Sequence, residues 1–228
     1  MFEGFTDRTM EFYMAIRFNN NRDFFEANRT WYEQSVRIPM LELISALVPV
    51  VQAIDDELDT RPQRCLARIH RDTRFARNKA PYRDYSFMKF RRLGDQRHTM
   101  LGLYFDLSDD GASYGMGIYD KNIPLMNGLR RGIMHESTHI LTLTNPVMDG
   151  FIFHPNTIKR MAVPHSVPDA LKPWYPLRAF YLQNTITDFS LIKSAALVDT
   201  VARGYQTLAP LYRYIQSLTP IIGQKEQP

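Results

Sequence analysis

Residues 68–85, RIHRDTRFARNKAPYRDY, concentrate the side-chain types that bind anions. Residues 68–92 contain nine Lys or Arg and two Asp, a local charge of +7, whereas the whole chain carries +4. The remaining residues therefore sum to −3. An arginine guanidinium holds a carboxylate or phosphate through two parallel hydrogen bonds. So uneven a charge distribution predicts a local anion site and not a uniformly basic coat for nucleic acid.

Six side chains of this segment are the candidates for the anion site: Arg68, Arg71, Asp72, Arg74, Lys79 and Tyr82. Arg71 and Arg74 bracket Asp72, so we expect the two arginines to hold the anionic group and the aspartate to orient one of them. Pro81 restricts the residue before it to an extended conformation, which holds Lys79 and Tyr82 in a defined relation. We expect both to reach the ligand as hydrogen-bond donors or proton-transfer groups.

Two other interpretations of the segment stay open. Arg71, Asp72 and Arg74 are also able to form an ion-pair network that braces a strand against the N-terminal helices, with Glu26 or Glu33 as partners. The aromatic residues between the cations could instead stack on nucleic-acid bases, although no compact nucleic-acid-binding signature is present. An anionic small molecule is therefore the predicted partner, with nucleic acid or protein as the alternative.

A second motif, HESTH at residues 135–139, fits the His-Glu-x-x-His pattern of zinc enzymes. On a helix, His135 and His139 would share one face as zinc ligands and Glu136 would be the general base. A catalytic zinc also needs a third protein ligand, and no glutamate lies between Glu136 and Glu226. The nearby substitutes are His154, His165 and Asp149. We therefore expect no cofactor, with a zinc-dependent hydrolase as the enzymatic alternative.

The composition predicts one cytoplasmic domain without a membrane span. A chain of 228 residues with 44% hydrophobic content is long enough for one substantial core, which we place at residues 1–222, with 223–228 as a disordered tail. The first residues lack a basic leader and an apolar run, and the apolar runs are shorter than roughly 18 residues. Cys65 stands alone, in an alternating apolar pattern typical of a buried structural thiol.

The first sixty residues predict helices because their apolar residues recur at helical spacing. Asp7 is placed to cap a first helix that runs to about Phe18, and Asn20 or Asn21 to cap a second. In the second helix Phe24, Trp31 and Ile38 are spaced by seven and form a predicted core stripe. A later helix is predicted from about Pro124 to Leu141, ending before Pro146.

Five segments predict strands because they are short, rich in branched and aromatic residues, and bounded by turn formers. They are CLARI, SFMKFRRL, HTMLGLYFDLS, ASYGMGIYD and LRAFYLQNTIT. Three of the connections are too short for a crossover helix, so the sheet should be antiparallel. The glycines of YGMGIY mark places where a strand bends or another backbone approaches closely. With closing helices after about residue 190, the fold class is α+β: N-terminal helices, an antiparallel sheet of about five strands, and C-terminal helices.

The basic segment and the N-terminal NNNRDFFEANRTWYEQSVRIP together resemble domain-of-unknown-function family 2461. Its signature is an Arg-x-x-Arg-Asp-x-Arg-Phe run followed by Asp or Asn, Lys and, after two residues, Tyr. The matching positions here are Arg68, Arg71, Asp72, Arg74, Phe75, Asn78, Lys79 and Tyr82. The resemblance implies a mostly bacterial protein of about this length with no established activity. It supports the importance of the segment without naming its chemistry.

Overall fold

The computed structural model describes residues 1–74, 77–93 and 100–218 of the chain. The sheet contains five strands: β1 (Ser86–Arg91), β2 (Gly102–Ser108), β3 (Gly111–Ile118), β4 (Ile152–Thr157) and β5 (Leu177–Ile186). The helices before the sheet are α1 (Asp7–Phe18), α2 (Arg22–Ala27), α3 (Arg29–Tyr32), α4 (Ile38–Ile54) and α5 (Pro62–Cys65). The later ones are α6 (Ile123–His135), α7 (Ser137–Met148), α8 (Phe189–Ile192) and α9 (Ala196–Ser217).

The strands are ordered β1-β2-β3-β5-β4 and every neighbouring pair is antiparallel. Helices precede and follow the sheet in the sequence, which confirms the predicted α+β class. A continuous cluster of buried apolar side chains extends along the chain from Phe2 to Ile215. The predicted single domain over residues 1–222 stays a prediction, and the predicted tail, 223–228, lies outside the described residues.

Two strand assignments differ from the prediction. CLARI is not a strand: α5 occupies its start, and Leu66 and His70 form only isolated bridges to Met88 and Tyr82. Pro62 lies in the first turn of α5 and favours the helix. The fifth strand is instead β4, which the sequence hides because it contains Pro155. A proline fits there because β4 is an edge strand and needs only one set of ladder hydrogen bonds.

The two faces of the sheet differ in burial at β1. On β1, Ser86, Met88 and Phe90 are buried, and the intervening Phe87 and Lys89 are only partly so. This alternation is the period of two that a half-covered antiparallel strand shows. Helices α4 and α9 pack against each other and against the strands from the covered side. The opposite face, which carries the odd-numbered residues of β1, is less completely buried in the described part of the chain.

The N-terminal helices bury a different stripe from the predicted one. Asn21 caps α2 by accepting a hydrogen bond from Phe24 N, as expected. However, the side chains buried along this stretch are Phe25, Tyr32 and Val36, while Ile38 is 46% exposed. The register changes because the helix breaks at Asn28 and then winds as a π-helix over residues 33–37. A spacing of seven therefore does not hold one face here.

The predicted helix from Pro124 to Leu141 is broken. It ends at His135, Glu136 adopts a non-helical conformation with φ −138° and ψ 37°, and α7 then continues through Pro146 to Met148. Tyr214 on α9 donates a hydrogen bond to Glu136 Oε1 at the break, which holds this carboxylate against the C-terminal helix. Pro146 lacks an N–H, so α7 continues past it with one backbone hydrogen bond fewer.

The helical stretch Arg29–Ile54 meets the length and composition requirements for crossing a membrane, with a hydropathy of 1.5. Leu43, Ile44, Leu47 and Val51 within it are fully buried in the core of the domain. A core helix of a globular domain meets the same requirements, so the stretch gives only weak support for a membrane location. Cys65 is buried, as predicted, and burial raises the pKa of its thiol to about 12.

A buried ionic network joins the ends of α4, β1 and α9. Asp55 accepts hydrogen bonds from Arg92 Nε at 2.8 Å and from the Tyr212 hydroxyl at 2.6 Å. Burial raises the pKa of Asp55, but the bonds from Arg92 and Tyr212 outweigh it and bring the pKa below its ordinary value. Arg213 also donates to the Ile54 carbonyl at 3.0 Å. The network therefore fixes the C-terminal helix to the start of the sheet.

Asp55→Ala should lower the free energy of unfolding by about 2 to 3 kcal/mol, because it removes charge-assisted hydrogen bonds and leaves Tyr212 without an acceptor. Denaturant unfolding at pH 7 measures this loss. Since Asp55 has a lowered pKa, the difference from the parent should shrink as the pH falls below about 4. Glu26→Ala, which removes an exposed pair with Arg29, is the control and should change stability little. Equal stability of Asp55→Ala and parent would contradict the role of the network.

Candidate functional site

The basic segment forms an irregular hairpin and not a strand. Arg71 N donates to the Pro81 carbonyl and Arg83 N donates to the Ile69 carbonyl, both at 2.8 Å. These bonds flank the His70–Tyr82 bridge and close the loop that carries the predicted anion-binding residues. Phe75 lies outside the described residues. The hairpin lies next to the N-terminal helices, since Asn20 exchanges two hydrogen bonds with the Tyr82 backbone.

The polar side chains of the hairpin are largely engaged with their own loop. Asp72 accepts from Arg74 Nε at 2.9 Å, and the Arg74 guanidinium holds the pKa of the carboxyl at about 2. Both residues of this pair are exposed. Lys79 Nζ donates to the Thr73 carbonyl at 2.9 Å. Glu26 pairs with Arg29 and Glu33 with Arg37, both within the N-terminal helical region, so the ion-pair brace predicted with them is wrong.

Tyr82 lies in the core, away from the position expected of a ligand-binding donor. Its ring stacks on the Phe25 ring with centroids 4.4 Å apart. The centroid of the His70 ring, at the paired position of the bridge, lies 5.0 Å from that of Tyr82. Tyr82 is 4% exposed. The Tyr of the family signature therefore fixes the hairpin to α2, which is a structural role that the sequence pattern did not reveal. Of the predicted residues, Arg68 and Arg71 carry no ion pair within the described part of the chain.

Tyr82→Ala should lower the free energy of unfolding by about 3 to 5 kcal/mol, because it removes a buried ring and leaves a cavity against Phe25. Tyr82→Phe keeps the ring and should remain close to the parent. Arg74→Ala removes only an exposed pair and should leave the melting temperature nearly unchanged. Thermal unfolding of the three variants measures these effects. A large loss of stability in Arg74→Ala would contradict the separation of structural and exposed residues within the signature.

The HESTH residues are not arranged as a zinc motif requires. The break at Glu136 puts His135 at the end of α6 and His139 in the first turn of α7. Glu136 is hydrogen-bonded to Tyr214, and the His139 ring packs edge-on against Tyr214 with centroids 5.6 Å apart. Across residues 1–74, 77–93 and 100–218, no group of three or more His, Cys, Asp or Glu is placed to hold a metal ion. The prediction that one helix presents both histidines is wrong.

A cleft of about 680 Å³ opens on the less completely buried face of the sheet. We call it the sheet-face cleft. Its lining combines aromatic rings with a few polar side chains, among them Lys89, Tyr104, Asp106, Ser113, His154 and Tyr181. These residues come from all five strands, and the register brings them to one face because side chains alternate along each strand. A cleft of this size and mixed character is typical of a small-molecule site.

Lys89 is a half-buried lysine that lines the cleft. Its Nζ donates to the Met100 carbonyl at 2.9 Å and to the Gly117 carbonyl at 3.1 Å. Burial, with a smaller contribution from Arg91, lowers the pKa of Lys89 to about 8. No carboxylate of the described residues forms an ion pair with it. Among residues 1–74, 77–93 and 100–218, two neutral carbonyl oxygens are therefore its hydrogen-bond partners.

The opposite end of the cleft carries the half-buried carboxyl group of Asp106. Ser113 Oγ donates to Asp106 Oδ2 at 2.7 Å, and burial raises the pKa of Asp106. Tyr104 pairs with Lys89 across β1 and β2, and its hydroxyl donates to the Leu182 carbonyl at 3.2 Å. Asp106 lies two residues beyond Tyr104, whereas Lys89 leans the other way, towards Gly117. Tyr104 therefore separates the acidic from the basic end.

A stacked pair of rings forms the β5-β4 side of the cleft. Tyr181 and His154 face each other across these strands, with centroids 4.3 Å apart and planes inclined by 11°. His154 Nε2 is buried without a hydrogen-bond partner in the described part of the chain. A buried nitrogen of this kind requires a water or a ligand group for its hydrogen bond. Tyr181 is 43% exposed although its partner ring is largely covered.

Three glycines form the floor of the cleft, where a side chain would collide with neighbouring residues. A Cβ on Gly102 would lie 2.6 Å from Lys89 Cε, and one on Gly117 would lie 2.5 Å from Tyr181 Cβ. A side chain on Gly115 would meet the Tyr104 ring and the Leu182 carbonyl. The expectation of close approach at the glycines of YGMGIY is therefore confirmed. These positions allow long side chains of neighbouring strands to lie across the sheet.

The residues of the cleft were not among the predicted site residues. Lys89 and Asp106 each interrupt an apolar strand at a position that faces away from the helices, and glycines occupy positions 111, 115 and 117 of β3. This pattern was visible in the sequence, but polar residues on one face of an antiparallel strand usually face water. His154 was considered only as a zinc ligand. His98, to which no role was assigned, lies outside the described residues.

The fold and the cleft define an α+β domain with one covered and one open sheet face. Residues 8–214 match the family model described as Conserved hypothetical protein (DUF2461). The match includes most of the 228 residues, so the chain belongs to this family, as the resemblance of the basic segment predicted. A search of curated proteins finds no match. The family has no established function, so the proposal below depends on the site itself.

Proposed function

We propose that the protein binds a small organic anion in the sheet-face cleft, with Lys89 as the cation that holds it. The observation that carries the proposal is the half-buried Lys89, which lies in a ligand-sized cleft and forms no ion pair with a carboxylate of the described residues. The proposed ligand belongs to the predicted class of partner, an anionic small molecule. Its proposed site is the sheet-face cleft and not the basic hairpin.

The energetic argument starts from the cost of burying a charge. A cation removed from water is destabilised unless charged or strongly polar groups replace the lost solvation. The two carbonyl oxygens bonded to Lys89 supply part of that replacement, and the lowered pKa reflects the part that is missing. An anion bound beside Lys89 would favour the ammonium form, so ligand binding and protonation support each other.

The remainder of the cleft favours an organic ligand over a simple ion. Aromatic side chains make up much of the lining, and the volume of about 680 Å³ falls in the range of small-molecule sites. The raised pKa of Asp106 favours its neutral form more than is usual for a carboxyl group, which reduces repulsion of an anion. As a carboxylate or as an acid, Asp106 offers a second polar contact at the far end of the ligand.

The proposal predicts that Lys89→Met weakens binding of carboxylate or phosphate compounds by about 10- to 100-fold, because a charge-assisted hydrogen bond is lost. Isothermal titration with acetate, succinate, benzoate and phenyl phosphate measures the affinities. For the parent, the affinity for the carboxylates should change little between about pH 6 and about pH 7, where they remain ionised, and fall as the pH rises through about 8, since Lys89 then loses its proton. Lys89→Met should lack this pH dependence.

Lys79→Met is the matched control, because Lys79 is an exposed lysine of the basic hairpin that does not line the cleft. It should bind the same compounds as the parent does. The proposal fails if none of the compounds binds the parent, or if Lys89→Met and parent bind them equally well. Melting temperatures of both variants without ligand verify that each is folded.

We keep the basic hairpin as a second candidate, for contact with polyanions. Arg68 and Arg77 are exposed and Arg71 is half-buried, and none of the three forms an ion pair within the described part of the chain. Several solvated cations on one loop can contact the phosphate backbone of a nucleic acid. The affinity of such binding falls steeply as the salt concentration rises. The cytoplasmic location and bacterial origin stay predictions. No observation favours the zinc hydrolase.

The second candidate predicts that a single-stranded oligonucleotide binds the parent at low salt and that Arg68→Ala/Arg71→Ala binds more weakly, with a shallower dependence of affinity on salt concentration. Fluorescence anisotropy at several salt concentrations measures both quantities. Lys89→Met should retain this binding, since its charge lies in the cleft. The absence of binding by the parent at low salt would remove this candidate.

A further inference from the structure

The backbone of β3 leaves an open space between two functional groups of the cleft. Gly117 pairs with Gly102 on one side and with Tyr181 on the other, and Tyr181 pairs with His154 on the next strand. Lys89 Nζ is anchored over the same row by its hydrogen bond to the Gly117 carbonyl. The row therefore runs from a cation, across bare backbone, to an aromatic ring.

Among the described residues, His154 is the ring that stacks on Tyr181. His154 stacks against the ring from the β4 side, at 4.3 Å and nearly parallel. The neighbour on the other side in the sheet register is Gly117, which has no side chain to cover the ring. Tyr181 is 43% exposed, so part of its surface remains accessible. An aromatic ring backed by a second ring is a stacking platform for a third.

We infer, on the premise of the proposed function, that the anion bound in the cleft carries a planar ring that stacks on Tyr181 above Gly117 while its acidic group contacts Lys89. Gly117 is the position that permits this arrangement, because any side chain there would occupy the space and contact Tyr181 Cβ. The ligand class is thus an aromatic or heteroaromatic carboxylate or phosphate. The shared requirement is a flat ring joined to an acidic group.

The test compares ligands that differ only in the shape of the ring. Benzoate is paired with cyclohexanecarboxylate, and phenyl phosphate with cyclohexyl phosphate, so that charge is equal within each pair and only one ring is flat. We expect the flat member to bind the parent at least about fivefold more tightly. The pair with the higher affinity distinguishes a carboxylate from a phosphate ligand. Affinities are measured by isothermal titration or by NMR chemical-shift titration.

Variants of Tyr181 assign the preference to the stack. Tyr181→Leu should reduce the ratio between flat and puckered ligands to about one while the puckered member still binds, and Tyr181→Phe should restore the ratio. Tyr85→Leu is the matched control, because Tyr85 is 42% exposed and does not line the cleft. It should keep the preference of the parent. The melting temperature of each variant verifies folding.

The outcomes separate this inference from the proposed function. If flat and puckered ligands bind the parent equally well and both lose affinity in Lys89→Met, the anion site stands and the stacking inference is overturned. A ring preference that persists in Tyr181→Leu would also overturn it. If no ligand of the four binds the parent, the proposed function itself fails and this inference fails with it.

Discussion

The antiparallel register of β2, β3 and β5 is the constraint on which the cleft depends. Because side chains alternate between the faces of a strand, a slip by one residue would turn Tyr104 and Asp106 into the core and bring Phe105 to the open face. The covered face prevents such a slip, since Phe105, Met116 and Leu182 are fully buried beneath the helices. The hydrophobic core on one side thus fixes the positions of the polar groups on the other.

The same constraint explains why an unfavourable charge persists in the sheet. Lys89 lies between the buried Met88 and Phe90, so its direction is set by the core and its ammonium is held over the glycine floor. The glycines at positions 102, 115 and 117 lower the stability of their strands, but they allow Lys89, Tyr104 and Tyr181 to lie across the sheet. The strands are less stable at these positions, and the cleft above them is shaped and partly shielded from water. This combination is expected at functional sites.

The sequence predicted the secondary structure better than the roles of individual residues. Four of the five strand assignments and the α+β class followed from alternation and turn residues, while β4 was missed because Pro155 is acceptable only at an edge that the sequence does not identify. The basic signature was recognised, yet its Tyr82 is a core residue and its Arg74 is held by Asp72. Lys89 interrupts the apolar pattern of β1, but the sequence does not show that this lysine is withdrawn from water, because its burial arises from strands that are distant in the sequence.

The central claim is that Lys89 is a half-buried cation of the sheet-face cleft that the described residues compensate only with neutral oxygens. The most direct measurement is the pKa of its ammonium group by heteronuclear NMR, with the signal assigned by its loss in Lys89→Met. The account predicts a pKa of about 8 in the free protein. An ordinary pKa near 10.5 would mean that Lys89 is fully solvated or fully compensated, and it would contradict the account.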